Sequence, residues 1–218
     1  MKDDLIAFVR DDIHAFMKNN QELFFNERDF QMHLAMWLKS LNKYDDIDIE
    51  YYVPYTELHE YIWENELRLD LVVRKGDEYV PIELKYKTKS VKETLPRLGE
   101  ELKNVEVMKS QHALNSTLYN FWKDVRRLEL VHKRFDHVVG GLAVFLTNNN
   151  TLFSNSTKDT HKNYQFSMAE GHHDKNREWQ DKAPSEKPNF RLDREYDIHW
   201  QPTTINKIAF QYCIVSVK

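Results

Sequence analysis

Hydrophobic and polar residues change period several times along this chain, and each change marks an element. Between residues 3 and 19, Leu5, Phe8, Val9, Ile13, Phe16 and Met17 recur every three or four positions, which predicts an amphipathic helix ended by Asn19-Asn20. A second helix is expected from Asn26 to about Asn42. Asn26 is a favoured N-cap, Asp29 stands at the third helical position, and Phe30, Leu34, Trp37, Leu38 and Leu41 form the apolar stripe. From Ile47 the period drops to two: Ile47, Ile49, Tyr51 and Val53 alternate with Asp48, Glu50 and Tyr52 in a strand that ends before Pro54. Glu50 reads there as a solvated edge residue. Residues 56–66 are acidic and aromatic and show no clean period.

Leu67 to Lys87 reads as a β-hairpin turning at Lys75-Gly76-Asp77, where Gly accepts the positive φ of a tight reversal. Leu69, Leu71 and Val73 are expected on one face of the first strand, and Val80, Ile82, Leu84 and Tyr86 on one face of the second. Leu95 to Leu114 reads as a helix with Pro96 in its first turn, Gly99 being the residue that argues for a loop instead. Ser116 would cap a helix over 117–134. That helix turns Leu118, Phe121, Trp122, Val125, Leu128 and Val131 inward, and Lys123, Arg126, Arg127, Lys133 and Arg134 mostly outward. The nearly continuous apolar run within His137–Thr147 predicts a central buried strand. From 148 to 199 Asn, Lys, Asp and His dominate. This is expected to be a polar insertion with at most a short helix around 160–170, before strand character returns at 207–217.

Composition narrows this picture only a little. A chain of 218 residues, 41% hydrophobic and 30% charged, fits one domain with a substantial core. Within it, residues 1–25 form a helical extension, 26–147 the core, 148–199 the polar insertion and 200–218 the C-terminal strand. The net charge of −4 gives no global footprint for nucleic acid, so local basic strips would have to hold phosphates. Cys213 is the lone cysteine, which excludes an intrachain disulfide and a cysteine-based zinc site. With no signal-peptide pattern and no long apolar run, a soluble cytoplasmic protein without a membrane partner is expected.

The candidate chemistry sits on the hairpin. Alternation puts Glu83 and Lys85 side by side, and antiparallel pairing brings Asp70 close to them. Two acids and a lysine among apolar strand residues need a reason, because unpaired charges are costly to bury. Asp70 and Glu83 suit a hard divalent cation such as Mg²⁺, with Mn²⁺ a substitute. Lys85 could then orient or deprotonate an attacking water, or offset charge on a phosphodiester. Glu27 falls near the buried stripe at a helix start. It is either a carboxylate favoured by the helix dipole or one aimed at a metal. Lys87 and Lys89 directly after the acidic strand, with Lys123, Arg126 and Arg127 on the later helix, are candidate phosphate contacts, although a solvated face explains them equally well. His172-His173-Asp174 with His161 and His199 matches no standard zinc spacing. Trp63, Trp179 and Trp200 stand in polar stretches where rings either stack on bases or anchor packing.

Asp70, a gap of twelve residues and then Glu83-Leu84-Lys85 resembles the active-site signature of the PD-(D/E)xK nuclease superfamily, with Leu69 where many members carry proline. The resemblance covers roughly residues 26–147. It implies a restriction-endonuclease-like α/β core, a mixed central sheet flanked by helices in the order αβββαβ. It also implies Asp70 and Glu83 as metal ligands, Lys85 as the catalytic lysine and Glu27 as an auxiliary acid. The function expected on this basis is Mg²⁺-dependent hydrolysis of phosphodiester bonds, in DNA first and RNA second, by a restriction-type enzyme for which a homodimer would help in cutting both strands. Two other readings remain open: a nuclease fold kept only for binding or assembly, and an ordinary α/β domain in which Lys85 simply pairs with Glu83. Gln111 and Tyr119 stand too far apart for the Gln-x-x-x-Tyr motif of the RecB branch.

Overall fold

A computed structural model of the chain describes residues 4–63, 66–111, 114–153, 163–181 and 183–218. The chain opens with α1 (Leu5–Asn19) and α2 (Glu27–Ser40), followed by β1 (Asp46–Val53), β2 (Leu67–Lys75) and β3 (Glu78–Lys87). A hairpin of β4 (Val91–Arg97) and β5 (Glu100–Met108) precedes α3 (Leu114–Arg134) and β6 (Gly141–Thr147). Four short strands follow: β7 (Gly171–His173), β8 (Asn176–Arg177), β9 (Phe190–Arg191) and β10 (Tyr196–Ile198). β11 (Gln201–Ile205) and β12 (Ile208–Val217) complete the chain.

Six strands form the central sheet in the order β1-β2-β3-β6-β12-β11. Only β3 and β6 run parallel, so the sheet is mixed. The helices divide between its two faces. α1 and α2 pack through Leu5, Ile13, Phe16, Phe30 and Leu34 onto Leu71, Val73, Ile82, Leu84, Val144 and Leu146. α3 packs through Phe121, Trp122, Val125 and Leu128 onto Leu69, Val72, Ala143, Phe145 and Cys213. The expected order of helix, three strands, helix and strand is therefore present over residues 27–147, with one hairpin added.

Local signals account for the first two helices. Asp4 accepts from the Ala7 N–H, and Asn26 from the Asp29 N–H at 2.9 Å. Asp29 in turn reaches back to the Phe25 N–H at 2.9 Å.

Three expectations need correction. No helix spans 95–114. Leu98 and Gly99 both have positive φ (52° and 86°), the two-residue geometry that closes a twisted hairpin, and Arg97 stands opposite Glu100. Val91, Leu95, Val105 and Val107 supply its apolar positions at period two, and Pro96 is tolerated because this two-stranded ribbon leaves its N–H side unpaired. The described part of the 148–199 stretch also contributes to the core, which its polar composition does not suggest. Among its described residues Phe166, Met168, Trp179, Phe190, Leu192, Tyr196 and Ile198 are buried against α3, and its strands pair β7 with β10 and β8 with β9. Among its described residues the helical part is one 3-10 turn, Tyr164–Phe166, in keeping with at most a short helix around 160–170. Finally, the C-terminus is a hairpin of two strands rather than one strand. No helix among the described residues is long and apolar enough to cross a membrane.

Where the chain enters β6 it passes through Gly140 at φ +154°. A Cβ there would lie 2.6 Å from Ile6 Cδ1 and 2.6 Å from the Val217 carbonyl oxygen. Gly76, at φ +58° in the β2–β3 turn, faces open space. Gly76→Ala should therefore cost about 1–2 kcal/mol from its left-handed backbone alone. Gly140→Ala should cost roughly 1–3 kcal/mol more because it also overpacks the α1–sheet contact. Urea unfolding of the two variants checks the order.

Candidate active site

The site lies where β2 leaves β3. The two strands pair from Lys75↔Glu78 to Leu71↔Ile82, and the next pair, Asp70 with Glu83, is not made. On the other side β1 skips the matching position as well: Ile49 pairs with Leu71 and Tyr51 with Leu69, while Glu50 between them has φ 55°. Side-chain alternation slips at this point. Leu67, Leu69 and Val72 face α3 whereas Leu71 and Val73 face α1 and α2, so Leu69 does not share the face of Leu71 as expected.

Backbone groups freed by this divergence are met by side chains. The Leu84 N–H donates to Asp70 Oδ2 at 2.6 Å, and the Tyr86 N–H donates to Glu27 Oε2 at 2.8 Å. The Asp70 carbonyl accepts from Gln31 Nε2 at 2.7 Å, and the same nitrogen reaches Glu50 Oε1 at 3.0 Å. Glu27 and Gln31 are one turn apart on α2, so the start of that helix is docked onto the gap through both. Glu50 is exposed, as its reading as an edge residue required.

Glu83 and Lys85 project from β3 toward α3, on the face opposite Ile82 and Leu84. Glu83 is 3% exposed, and its Oε1 is buried without a hydrogen-bond partner. Lys85 does not pair with it. The ammonium lies 2.6 Å from Asp124 Oδ2, 4.0 Å from Glu27 Oε1 and 2.9 Å from the Leu84 carbonyl. Asp124 Oδ1 in turn is 3.3 Å from Arg127 Nη1, and Arg127 Nη2 donates to Tyr61 Oη at 3.2 Å.

Asp124 was absent from the sequence-based set. Its signal is positional: it stands three residues after Phe121 and four before Leu128, an acid on the apolar stripe of α3.

Electrostatics follow from this crowding. Burial raises the Asp70 carboxyl to about 6, with the Lys85 charge and the Leu84 N–H pulling the other way. Burial also holds Glu83 well above the usual carboxylate range, reinforced by the charges of Asp124 and Asp70. The Lys85 pKa is raised for the opposite reason: burial opposes its charge, but Asp124, Glu27, Asp70 and Glu83 together outweigh that. Acids pushed up beside a buried lysine where two strands part make a functional-site candidate on physical grounds.

Asp70, Glu83, Lys85 and Glu27 thus gather as expected, but the proposed phosphate contacts do not. Arg126 is buried and clasped by Glu60 at 2.6 Å, Glu129 at 3.0 Å and Asp193 at 2.6 Å. Arg127 turns toward Asp124. Neither points outward, because the described residues between 163 and 198 and the 55–63 segment cover this face of α3, and a buried guanidinium has to be paired. Lys133 and Arg134 are tied to Glu60 and Glu57. Lys123 lies 5.3 Å over the Trp63 ring, and burial with the neighbouring Arg127 lowers it to about 8. Lys87 is buried, whereas Lys89 is exposed, with its ammonium 3.0 Å from Asn150 Oδ1.

The indole N–H groups of Trp63, Trp179 and Trp200 donate to Tyr119 Oη, the Lys187 carbonyl and the Met168 carbonyl, so all three are packing anchors. His161 lies outside the described residues. His172, His173 and His199 contact Asp197, the Ala169 carbonyl and Glu170 respectively.

Among the described residues no group of three or more His, Cys, Asp or Glu side chains is close enough together to hold a metal ion. Mg²⁺ needs fewer: it commonly takes one or two carboxylates and fills its shell with water and substrate oxygens. The buried, unpartnered Glu83 Oε1 and the neighbouring Asp70 carboxylate fit that donor set. No protein-family model, curated protein or solved structure matches this chain.

Asp70 gives the site a pH signature in the metal-free protein. Its folded pKa of about 6 exceeds the ordinary 3.8, so the folded state disfavours its ionisation, and stability is lost as pH rises between those values. At about 1.4 kcal/mol per pH unit this amounts to roughly 3 kcal/mol. Asp70→Asn keeps an acceptor for the Leu84 N–H but cannot ionise. In EDTA it should match the wild type near pH 4 and exceed it by up to about 3 kcal/mol at pH 8. Urea titrations at the two pH values measure the difference.

Proposed function

We propose that this protein is a divalent-cation-dependent phosphodiesterase acting on DNA, with a restriction-endonuclease-like core. The observation that carries the reading is the gathering of Asp70, Glu83, Lys85 and Glu27 at the gap between β2 and β3. The element order around that gap and the unpartnered oxygen of Glu83 support it further.

Asp70 and Glu83 would hold the cation, with Glu27 at the margin. A Mg²⁺ bound there supplies a water of lowered pKa and neutralises charge on the phosphodiester. Lys85, an ammonium among acids, places positive charge where negative charge develops on the phosphoryl oxygens. The Asp70 and Glu27 carboxylates are fixed by backbone donors on a rigid strand, which suits a reaction whose catalysis is mostly positioning. Lys89, exposed just past the end of β3, is the phosphate contact carried over from the basic residues. Arg126 and Arg127 act inside the fold.

That engagement of Arg126 and Arg127 is also what favours the second reading, a nuclease fold used for binding or assembly without chemistry.

Purified protein with Mg²⁺ or Mn²⁺ should cut plasmid or single-stranded DNA. Glu83→Ala and Lys85→Ala should each lower the rate by at least about 100-fold, the scale of losing an electrostatic group at a reacting centre. Cleavage that survives both substitutions would sink the assignment. Absence of both cleavage and metal binding would leave the non-catalytic reading.

A further inference from the structure

Lys85 stands among four acids, and which of them it pairs with decides which oxygens remain for a cation. Its four-carbon stem is flexible and its ammonium is a compact point charge, so several partners are within reach. Glu83 is two residues away on the same face of β3, about 7 Å along the strand. Opposite charges attract more strongly in a buried, water-poor setting than in bulk water. A buried ammonium beside a buried, unpartnered carboxylate oxygen would ordinarily close that distance.

It does not do so here. Lys85 Nζ lies 2.6 Å from Asp124 Oδ2 and makes no ion pair within 4.0 Å to Glu83 or Asp70, while Glu83 Oε1 is left without a partner. Asp124 is well placed to win this competition. Its side chain is 4% exposed, it projects from the rigid interior of a 21-residue helix, and its other oxygen faces Arg127 Nη1 at 3.3 Å. Arg127 is braced in turn by the Tyr61 hydroxyl. The carboxylate therefore presents one oxygen to Lys85 from a fixed direction, on the α3 side of the gap.

We propose that Asp124 is a positioning residue that draws Lys85 aside, so that Asp70 and Glu83 stay available to a divalent cation. The inference rests on the nuclease reading of the site and adds to it a residue that touches neither metal nor substrate. Without the Asp124 charge, Lys85 turns to Glu83 and occupies the oxygen that the cation needs. The defect is then one of competition, and it disappears when the competitor is removed.

Mn²⁺ titration followed by calorimetry or electron paramagnetic resonance tests this without any turnover. Asp124→Asn should weaken Mn²⁺ binding by about 10–100-fold, the range seen when a residue supporting metal ligands is lost. Lys85→Met in the same chain should restore the affinity to the wild-type value or better, and Lys85→Met alone should bind at least as tightly as wild type. The double variant also guards against a folding defect, since it removes both buried charges together. If Asp124→Asn binds Mn²⁺ like the wild type, the proposal is overturned and the nuclease reading stands. If affinity stays low in the double variant, the proposal is overturned in favour of Asp124 as a direct ligand or a purely structural residue. If the wild type binds no Mn²⁺, the nuclease reading fails and takes this inference with it.

Discussion

A backbone N–H inside a sheet must find an acceptor, and at Leu84 and Tyr86 the neighbouring strand does not provide one. β2 parts from β3 after Leu71↔Ile82, and from there on the acceptors are the carboxylates of Asp70 and Glu27. This one substitution of side chain for strand ties the rest together. It holds Asp70 at the gap, fastens the start of α2 to β3, and with Gln31 on the Asp70 carbonyl secures both edges of the opening. The acids are thus part of the sheet's own hydrogen bonding, which makes their geometry as rigid as the strands.

The same arrangement carries a cost that a purely structural site would avoid. Asp70 and Glu83 are both held above the usual carboxylate range by burial, and Glu83 Oε1 is buried with no donor. Well-packed apolar residues would be at least as stable in such a place. Stability conceded at a cluster of buried acids is a common mark of a site kept for function. The alternative in which Lys85 merely neutralises Glu83 loses its physical basis, because the lysine pairs with Asp124 instead.

On the far side of the site, the described residues between β6 and β11 act as structure. Arg126 and Glu129 on α3 join Asp193 and Tyr196, and Trp122 donates its indole N–H to the Ser167 carbonyl. Trp179 stacks on Tyr119, with Phe166 tilted and Phe190 edge-on against the same ring. Basic residues that an isolated α3 would show to solvent are consumed in this clasp. The net charge of −4 is therefore not offset by a basic rail along that helix.

Much of this could be read along the chain. Period and capping residues located α1 and α2, period alone located β1, the β2–β3 hairpin, β6 and α3 (which starts at Leu114, so that Ser116 lies within it and does not cap it), and strand alternation put Glu83 and Lys85 on one face beside Asp70, because those properties depend on near neighbours. Three things depended on contacts far apart in sequence. Residues 91–108 form a hairpin because Leu98-Gly99 turns and Val91, Leu95, Val105 and Val107 find the α1–α2 core, a preference that overrides Pro96 as a helix start. Arg126 and Arg127 face inward because chain more than sixty residues away in each direction packs over them. Asp124 becomes the partner of Lys85 only once α3 crosses the sheet. The sequence by itself determined which residues carry charge and which faces are apolar. Tertiary structure alone decided which charges meet, since burial strips away the water that would otherwise let each of them stand alone.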